Sequence, residues 1–285
     1  MLILIVFGIV FVLTVMILLC GRQYRRVSVN LKQANLKYDF KNLINAKKIV
    51  VIGKASETLQ NDYAALVQEC DVVVRINPSV ENGRIDIHPT VARHTTSRTD
   101  VVYHNSCGVG DILEHVTIQE NVGMGPVLAE SYAASGVTFV VRIDNSGHER
   151  VYNNFSETVA TFLSPHVVRR NTFRFFGKDV HGLTSGIKSI VDLLGYEPAE
   201  LHIVGMDCMM SPKHYVPGPA VFEEHRKNNE ERCRKNPTEC KIGAHKPFND
   251  LKMLFKVYKS HPGIVRPSRH LLDVWETHGL KAPSD

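Results

Sequence analysis

The segment Lys48–Ser56 reads KIVVIGKAS and decides the predicted fold. Its four consecutive β-branched residues, Ile49–Ile52, form a short apolar run typical of a strand buried on both faces of a parallel sheet. Gly53 follows at once and precedes a helical pattern. A glycine here permits close backbone approach, and the helix N-terminus offers N–H groups to a phosphate. The segment predicts a strand–turn–helix unit, with a ligand-binding turn and a plain connecting turn both open.

Apolar runs of the same kind recur along the chain and alternate with segments of helical periodicity. The further predicted strands are Val72–Ile76, Asp100–Tyr103, Thr138–Arg142, Phe173–Phe176 and Leu201–Val204. The predicted helices span about residues 57–69, 155–163, 184–195 and 247–259. Such alternation predicts one doubly wound α/β domain, in which ligands bind at the carboxyl ends of the strands.

The N-terminal residues predict a membrane attachment. Residues 1–20 are apolar and uncharged, long enough to span a bilayer as a helix, and a cleaved signal peptide is the alternative. Residues 21–48 carry eight of the 34 basic residues and one of the 29 acids. That is a net charge of +7, and the total of +5 leaves −2 for residues 49–285, which argues against a nucleic-acid groove. We therefore expect a single-pass anchor over 1–20, a basic juxtamembrane stem over 21–45 and a globular domain over 46–285.

Two later segments carry further candidate site residues. Thr184, Ser185 and Gly186 precede the apolar-periodic helix, where their hydroxyls can cap the helix or hold a phosphate or ribose. His245 lies just before Pro247, a residue that suits the first helical turn. A histidine there tends to be neutral and able to accept a proton, although a surface histidine fits the same pattern.

The order of these segments resembles that of the eukaryotic-type sialyltransferases, glycosyltransferase family 29. The stretches KIVVIGKAS, LVQECDVVVRINPS and VARHTTSRTDVVYHN are similar to the large motif of that family. GLTSGIKSIVDLLGYEPAELHIVGMD is similar to its small motif, and His214-Tyr215 to its third motif. His245 and Asp250 match the very small motif, His-x4-Glu, apart from aspartate in place of glutamate.

The resemblance implies a Rossmann-like catalytic domain of the variant GT-A type behind the anchor. It implies inverting, metal-independent transfer of sialic acid from CMP-sialic acid to a glycan hydroxyl, without a cofactor. His245 would be the general base, and His214 would hold the departing CMP phosphate. The implied nucleotide-binding residues are Gly53, Lys54, Ser56, Asn77, Asn105, Thr184, Ser185, Gly186 and Tyr215. A Golgi or secretory-pathway membrane is implied as well, whereas the positive-inside rule favours a cytoplasmic domain, so the orientation stays open.

Departures from the family pattern leave other functions open. Lys54 replaces the asparagine of a Gly-Asn-Ser turn, and Thr184-Ser185 inverts the order Ser-Thr. Ile49 and Pro198 stand where animal members have two cysteines that form a disulfide. The alternatives are a glycosyltransferase with another nucleotide sugar and a non-catalytic membrane protein that binds a nucleotide or glycan.

Overall fold

The computed structural model describes residues 38–81, 84–86, 89–104, 132–143, 160–162, 165–177, 183–208, 210 and 246–281. The chain divides into two compact units, Met1–Phe40 and Lys41–Asp285. Residues 38–40 of the first unit are helical. All the strands and labelled helices below belong to the second unit.

A seven-stranded sheet forms the centre of the second unit. Its strands are β1 Lys48–Ile52, β2 Val72–Ile76, β5 Val101–His104, β6 Phe139–Arg142, β7 Ala160–Phe162, β8 Glu200–Val204 and β9 Val265–Pro267. The strand order is β7-β6-β5-β2-β1-β8-β9, and every neighbouring pair is parallel. Strands β3 Ser79–Glu81 and β4 Arg84–Asp86 form a separate antiparallel pair. The predicted parallel α/β class is confirmed.

Helices connect the strands. They are a 3-10 helix Ser56–Leu59, then α1 Ala64–Glu69, α2 Pro89–Thr95, α3 Pro165–Phe176, α4 Ser185–Leu194, α5 Pro247–Ser260 and α6 Arg269–Thr277. Helix α4 buries Ile187, Ile190, Val191 and Leu193, and it contacts both β2 and β5. Its apolar face therefore covers the middle of the sheet, and its N-terminus is the place where the small-motif residues lie.

The central strands form the core. All five residues of β2 are buried, and Ile49–Ile52 of β1 are buried as well. Val50 and Val73 pack together with Val67 of α1 and Val204 of β8. Burial of aliphatic side chains is the dominant favourable contribution to the free energy of folding, at roughly 1.5–3 kcal/mol for each side chain. The apolar runs in the sequence thus mark strands covered on both faces, as predicted.

Five of the six predicted strands are confirmed within one residue, and one is wrong. Phe173–Phe176 is the last turn of α3 instead of a strand. Its aromatic residues favour strands, but the buried positions are Val168, Thr172 and Phe176, four residues apart, while Phe173 is exposed. This spacing is helical, and the Thr172 hydroxyl donates to the Val168 carbonyl at 2.7 Å.

The predicted helices at 184–195 and 247–259 are confirmed as α4 and α5, but the other two need correction. Residues 160–162 of the predicted helix 155–163 form the edge strand β7, because they pair with β6 in a register that joins Phe139 to Ala160. The predicted helix 57–69 is interrupted between the 3-10 helix and α1. There the Asp62 carboxylate accepts the Ala64 N–H at 2.8 Å, a local bond that competes with helix continuation.

Sequence patterns missed the helices α2, α3 and α6, the strands β7 and β9 and the β3–β4 pair, which are short or polar. Within the described ranges, no helix has the length and hydropathy needed to cross a membrane. The anchor predicted over residues 1–20 lies outside those ranges.

Candidate functional site

The sheet reverses its direction of growth between β1 and β8. From β1 the chain adds β2, β5, β6 and β7 on one side, and β8 and β9 on the other. The connections that follow β1 and β8 therefore diverge at the carboxyl edge of the sheet. In open α/β sheets this switch point is where ligands bind. The turns at Gly53 and Gly205 are consequently the first place to look for a site.

These two turns lie in direct contact. The Gly53 N–H donates to the Val204 carbonyl at 2.8 Å, and the Ala55 N–H donates to the Gly205 carbonyl at 2.9 Å. A Cβ placed on Gly53 would lie 2.2 Å from the Gly205 carbonyl oxygen. Gly205 has a φ of +67°, a conformation that glycine adopts without the penalty other residues incur. Both glycines are therefore required by the backbone geometry itself.

Met206 joins a third turn to this pair. A Cβ on Gly186 would lie 2.1 Å from the Met206 methyl carbon, and one on Gly53 would lie 2.5 Å from Met206 Cγ. Met206 is buried. The turn of the large motif and the start of the small-motif helix therefore pack against one side chain, although residues 53 and 186 lie far apart in the sequence.

Asp250 links the start of α5 to the start of α4. Its carboxylate accepts the backbone N–H of Thr184, the N-cap residue of α4. Burial raises the pKa of Asp250 to about 7, against the opposing effects of that N–H group and of Lys188. The position that matches the very small motif is therefore joined to the small motif by this hydrogen bond from the Thr184 N–H.

The Cys208 thiol lies near Asp250 and Asp207. Burial, followed by the charges of these two residues, raises the pKa of Cys208 well above its ordinary value.

The remaining parts of the large motif also contact one another. Arg75 of β2 is buried, and its guanidinium donates to Thr99 Oγ1 at 3.0 Å and to the Thr96 carbonyl at 2.7 Å. Arg98 donates to the Cys70 carbonyl at 2.9 Å and forms an ion pair with Asp100 at 2.9 Å. The Thr95–Thr99 segment is thereby held against β2, so Arg75 and Arg98 support the structure.

Some of the predicted site residues lie within the described residues, and the others lie outside them. Gly53 and Gly186 both contact Met206. Lys54 and Ser56 follow Gly53 in the chain and are half-buried. Thr184 and Ser185 begin α4 and are half-buried, and Thr184 makes no capping bond through its side chain. Asn77 follows β2 with a φ of +46°, and its N–H donates to the Tyr103 carbonyl at 2.8 Å. Asn77 therefore lies at the carboxyl edge of the sheet, after β2. Outside the described residues lie Asn105, His214, Tyr215 and His245.

Sequence reasoning missed three residues that build this edge: Glu57, Gly205 and Met206. Glu57 is buried, and its carboxylate accepts the backbone N–H of Gly205. In the sequence it stands in a helical pattern, where an acid is ordinarily a solvated residue near the helix N-terminus. Gly205 and Met206 directly follow an apolar strand, and that position was the one available signal.

The structure is similar to those of two sialyltransferases from Campylobacter jejuni. One is CstII in complex with cytidine-5'-monophosphate, with 14% sequence identity, a TM-score of 0.45, and coverage of 78% of this chain and 80% of that chain. The other is the monofunctional alpha-2,3-sialyltransferase Cst-I, with 14% identity, a TM-score of 0.41, and coverage of 77% and 75%. No protein-family model matches the sequence, and a search of curated proteins finds no match.

Proposed function

We propose that the chain is a glycosyltransferase of the sialyltransferase type, which transfers sialic acid from CMP-sialic acid to a glycan hydroxyl. One observation carries the proposal. Residues that match three separate family motifs converge at the switch point: Gly53, Gly186 with Thr184, and Asp250. The contacts through Met206 and the Thr184 N–H are long-range contacts that an accidental resemblance of short motifs would not be expected to produce.

The proposed donor site uses the backbone and hydroxyl groups of the two turns. Gly53, Lys54 and Ser56 would face the nucleotide from one side, and Thr184, Ser185 and Gly186 from the other. The N–H groups at the start of a helix favour anions, so the start of α4 suits a phosphate. Asn77, Asn105 and Tyr215 complete the proposed nucleotide contacts.

The proposed chemistry needs one base and one stabiliser of the leaving group. His245 accepts the proton of the acceptor hydroxyl, whose oxygen attacks the anomeric carbon of sialic acid. The bond from that carbon to the phosphate oxygen breaks, and CMP leaves with the electron pair. His214 stabilises the negative charge that develops on the phosphate. Inversion follows from attack on the face opposite the leaving group, and the proposal includes neither a metal nor a cofactor.

The proposed base adjoins the start of α5 in the sequence. Pro247 begins this helix, Lys246 is its N-cap residue, and His245 is the next residue towards the N-terminus. Asp250 of the same first turn is bonded to Thr184, which ties the start of α5 to the small motif. In the proposal this bond keeps the base close to the donor. Residues 1–20 would anchor the enzyme in a membrane, with residues 21–45 as its stem.

Turnover of the purified 285-residue chain tests the proposal. The protein is incubated with CMP-sialic acid and a panel of acceptor glycans, and released CMP and sialylated product are measured with and without a chelator. We expect product that is insensitive to the chelator, and a loss of at least about 100-fold in His245→Ala, the range typical of removing a general base. His202→Ala is the matched control, because His202 lies within β8 and pairs with Glu200 at 2.8 Å.

Three results would contradict parts of the proposal. Wild-type turnover by His245→Ala removes His245 as the base. Turnover with a different nucleotide sugar, and none with CMP-sialic acid, favours the second candidate function. Lys54 is the specific feature behind that candidate, because an ammonium in the donor turn can pair with a second phosphate. Nucleotide binding without any transfer favours a non-catalytic binding protein.

A further inference from the structure

Glu57 is a buried carboxylate with three partners from two distant parts of the chain. Only 1% of the surface of Glu57 is exposed to solvent. One oxygen accepts the Gly205 N–H, and the other accepts the Ser268 hydroxyl at 3.1 Å. His270 Nε2 lies 3.9 Å from that second oxygen. Glu57 thus connects the turn after β1 with the turn after β8 and with the start of α6.

Gly205 is held on both sides by the turn that contains Glu57. The Gly205 carbonyl accepts the Ala55 N–H at 2.9 Å, and the Gly205 N–H donates to Glu57. We name this pair of bonds the Gly205 clasp. The next residue, Met206, packs against Gly53 and Gly186. A shift of Gly205 would therefore move Met206 and change the spacing between the two proposed donor turns.

Burial makes the charged form of Glu57 depend on its hydrogen-bond partners in the two loops. Burial raises the pKa of Glu57, whereas the Gly205 N–H, His270 and Ser268 favour its charged form. Removing a carboxylate from water costs free energy, which its partners offset only with good geometry. Breaking one partner away leaves the charge uncompensated. The arrangement consequently favours one fixed spacing of the two turns over a range of spacings.

We propose that Glu57 is a positioning residue for the donor site, which sets nucleotide affinity through the Gly205 clasp without touching the nucleotide. The proposal rests on the function proposed above, in which CMP binds at this edge. Ser268 and His270 support Glu57 from α6. None of these three residues belongs to a segment that resembles a family motif, with Glu57 lying one residue beyond KIVVIGKAS.

The test combines CMP binding with exchange of the Gly205 amide in the full chain. Isothermal titration gives the Kd for CMP, and hydrogen–deuterium exchange without nucleotide follows the peptide that contains Gly205. Glu57→Gln keeps an acceptor oxygen for Gly205, so we expect a Kd within about threefold of wild type. Glu57→Ala removes the side-chain bond of the clasp, and we expect at least about tenfold weaker CMP binding and faster exchange at Gly205.

Asp192 provides the matched control for stability. It is also buried, and it accepts the Tyr103 hydroxyl at 2.7 Å and the Asn171 side-chain N–H at 2.8 Å. Asp192→Ala should lose stability while its Kd for CMP stays within about threefold of wild type. Should Glu57→Ala not fold, Glu57→Asp keeps the charge but withdraws it from Gly205, and the same weakening of CMP binding is expected.

The outcomes separate this inference from the proposed function. A wild-type chain that does not bind CMP overturns both. A wild-type chain that binds CMP, with Glu57 variants that bind it equally well, overturns only the positioning role. Equal losses of CMP affinity in Glu57→Ala and Asp192→Ala show a general loss of stability and also overturn it. Unchanged exchange at Gly205 in Glu57→Ala overturns the clasp.

Discussion

The contact between the turns after β1 and β8 makes Gly53→Ala the most informative test of the fold at the site. The new Cβ would lie 2.2 Å from the Gly205 carbonyl oxygen and 3.0 Å from its carbonyl carbon, both backbone atoms. Ordinary van der Waals contact begins at 3.4 Å. The two turns must therefore separate by roughly 1 Å, since backbone atoms cannot rotate away as the end of a side chain can.

A separation of that size breaks the hydrogen bonds between the turns. The Gly53 N–H to Val204 bond and the Ala55 N–H to Gly205 bond, at 2.8 and 2.9 Å, would lengthen beyond hydrogen-bonding distance. The Glu57 carboxylate would also lose the Gly205 N–H. At about 1 kcal/mol for each bond, the expected loss of unfolding free energy is about 2–4 kcal/mol. In a domain of this size that is a decrease in Tm of roughly 5–15 °C.

Urea denaturation and thermal unfolding of the purified full chain measure this loss. Gly263→Ala is the control, because nothing lies within 4 Å of a Cβ at Gly263. That control should stay within about 0.5 kcal/mol of wild type. A Gly53→Ala variant that also stays within about 0.5 kcal/mol would refute the close approach of the two turns.

Three further substitutions test the supports of the site. Gly186→Ala should stabilise a Met206→Ala background by up to about 1 kcal/mol, through the higher helix propensity of alanine, and should stabilise the wild type less, because there the Met206 methyl carbon must move aside. Urea titrations of all four proteins measure both effects, and equal effects contradict the contact. Between about pH 4 and 7 the Asp250 carboxyl keeps a proton in the folded chain and releases it in the unfolded chain. The free energy of unfolding of the wild type should therefore decrease as the pH rises through this window, and Asp250→Asn should lack this decrease. Parallel pH profiles of stability would count against burial of the carboxyl. Tyr103→Phe removes the hydroxyl that donates to Asp192 at 2.7 Å and should cost about 1–3 kcal/mol, which an unchanged urea midpoint would disprove.

The strands at the centre of the sheet could be predicted because a strand that is buried on both faces appears in the sequence as a continuous apolar run. Ile49–Ile52 and Val72–Val74 are uninterrupted β-branched runs, and they became β1 and most of β2. The edge strand β7 carries no such run, and its conformation depends on pairing with β6. Phe173–Phe176 shows the converse, since strand-favouring residues lie in a helix whose buried stripe is set by tertiary packing.

The sequence singles out candidate site residues one by one but does not show how they are arranged. A strand–turn–helix pattern identifies Gly53, and its place before an apolar-periodic helix identifies Gly186; the structure brings the two together. Their meeting point, Met206, is marked in the sequence only by its place directly after an apolar strand. The bond from Glu57 to Gly205 spans 148 residues, and the one to Ser268 spans 211. No local pattern carries information across such separations, so only the folded chain reveals that these residues lie together.

A crystal structure of the full chain with CMP bound tests the central claim most directly. The account predicts that the nucleotide lies at the carboxyl edge between β1 and β8, with its phosphate within hydrogen-bonding distance of groups from residues 53–56 or 184–186. It also predicts that the Gly205 clasp stays closed in that complex. Binding of CMP at another surface would contradict the account, and so would a lack of binding at CMP concentrations well above the KM values typical of enzymes.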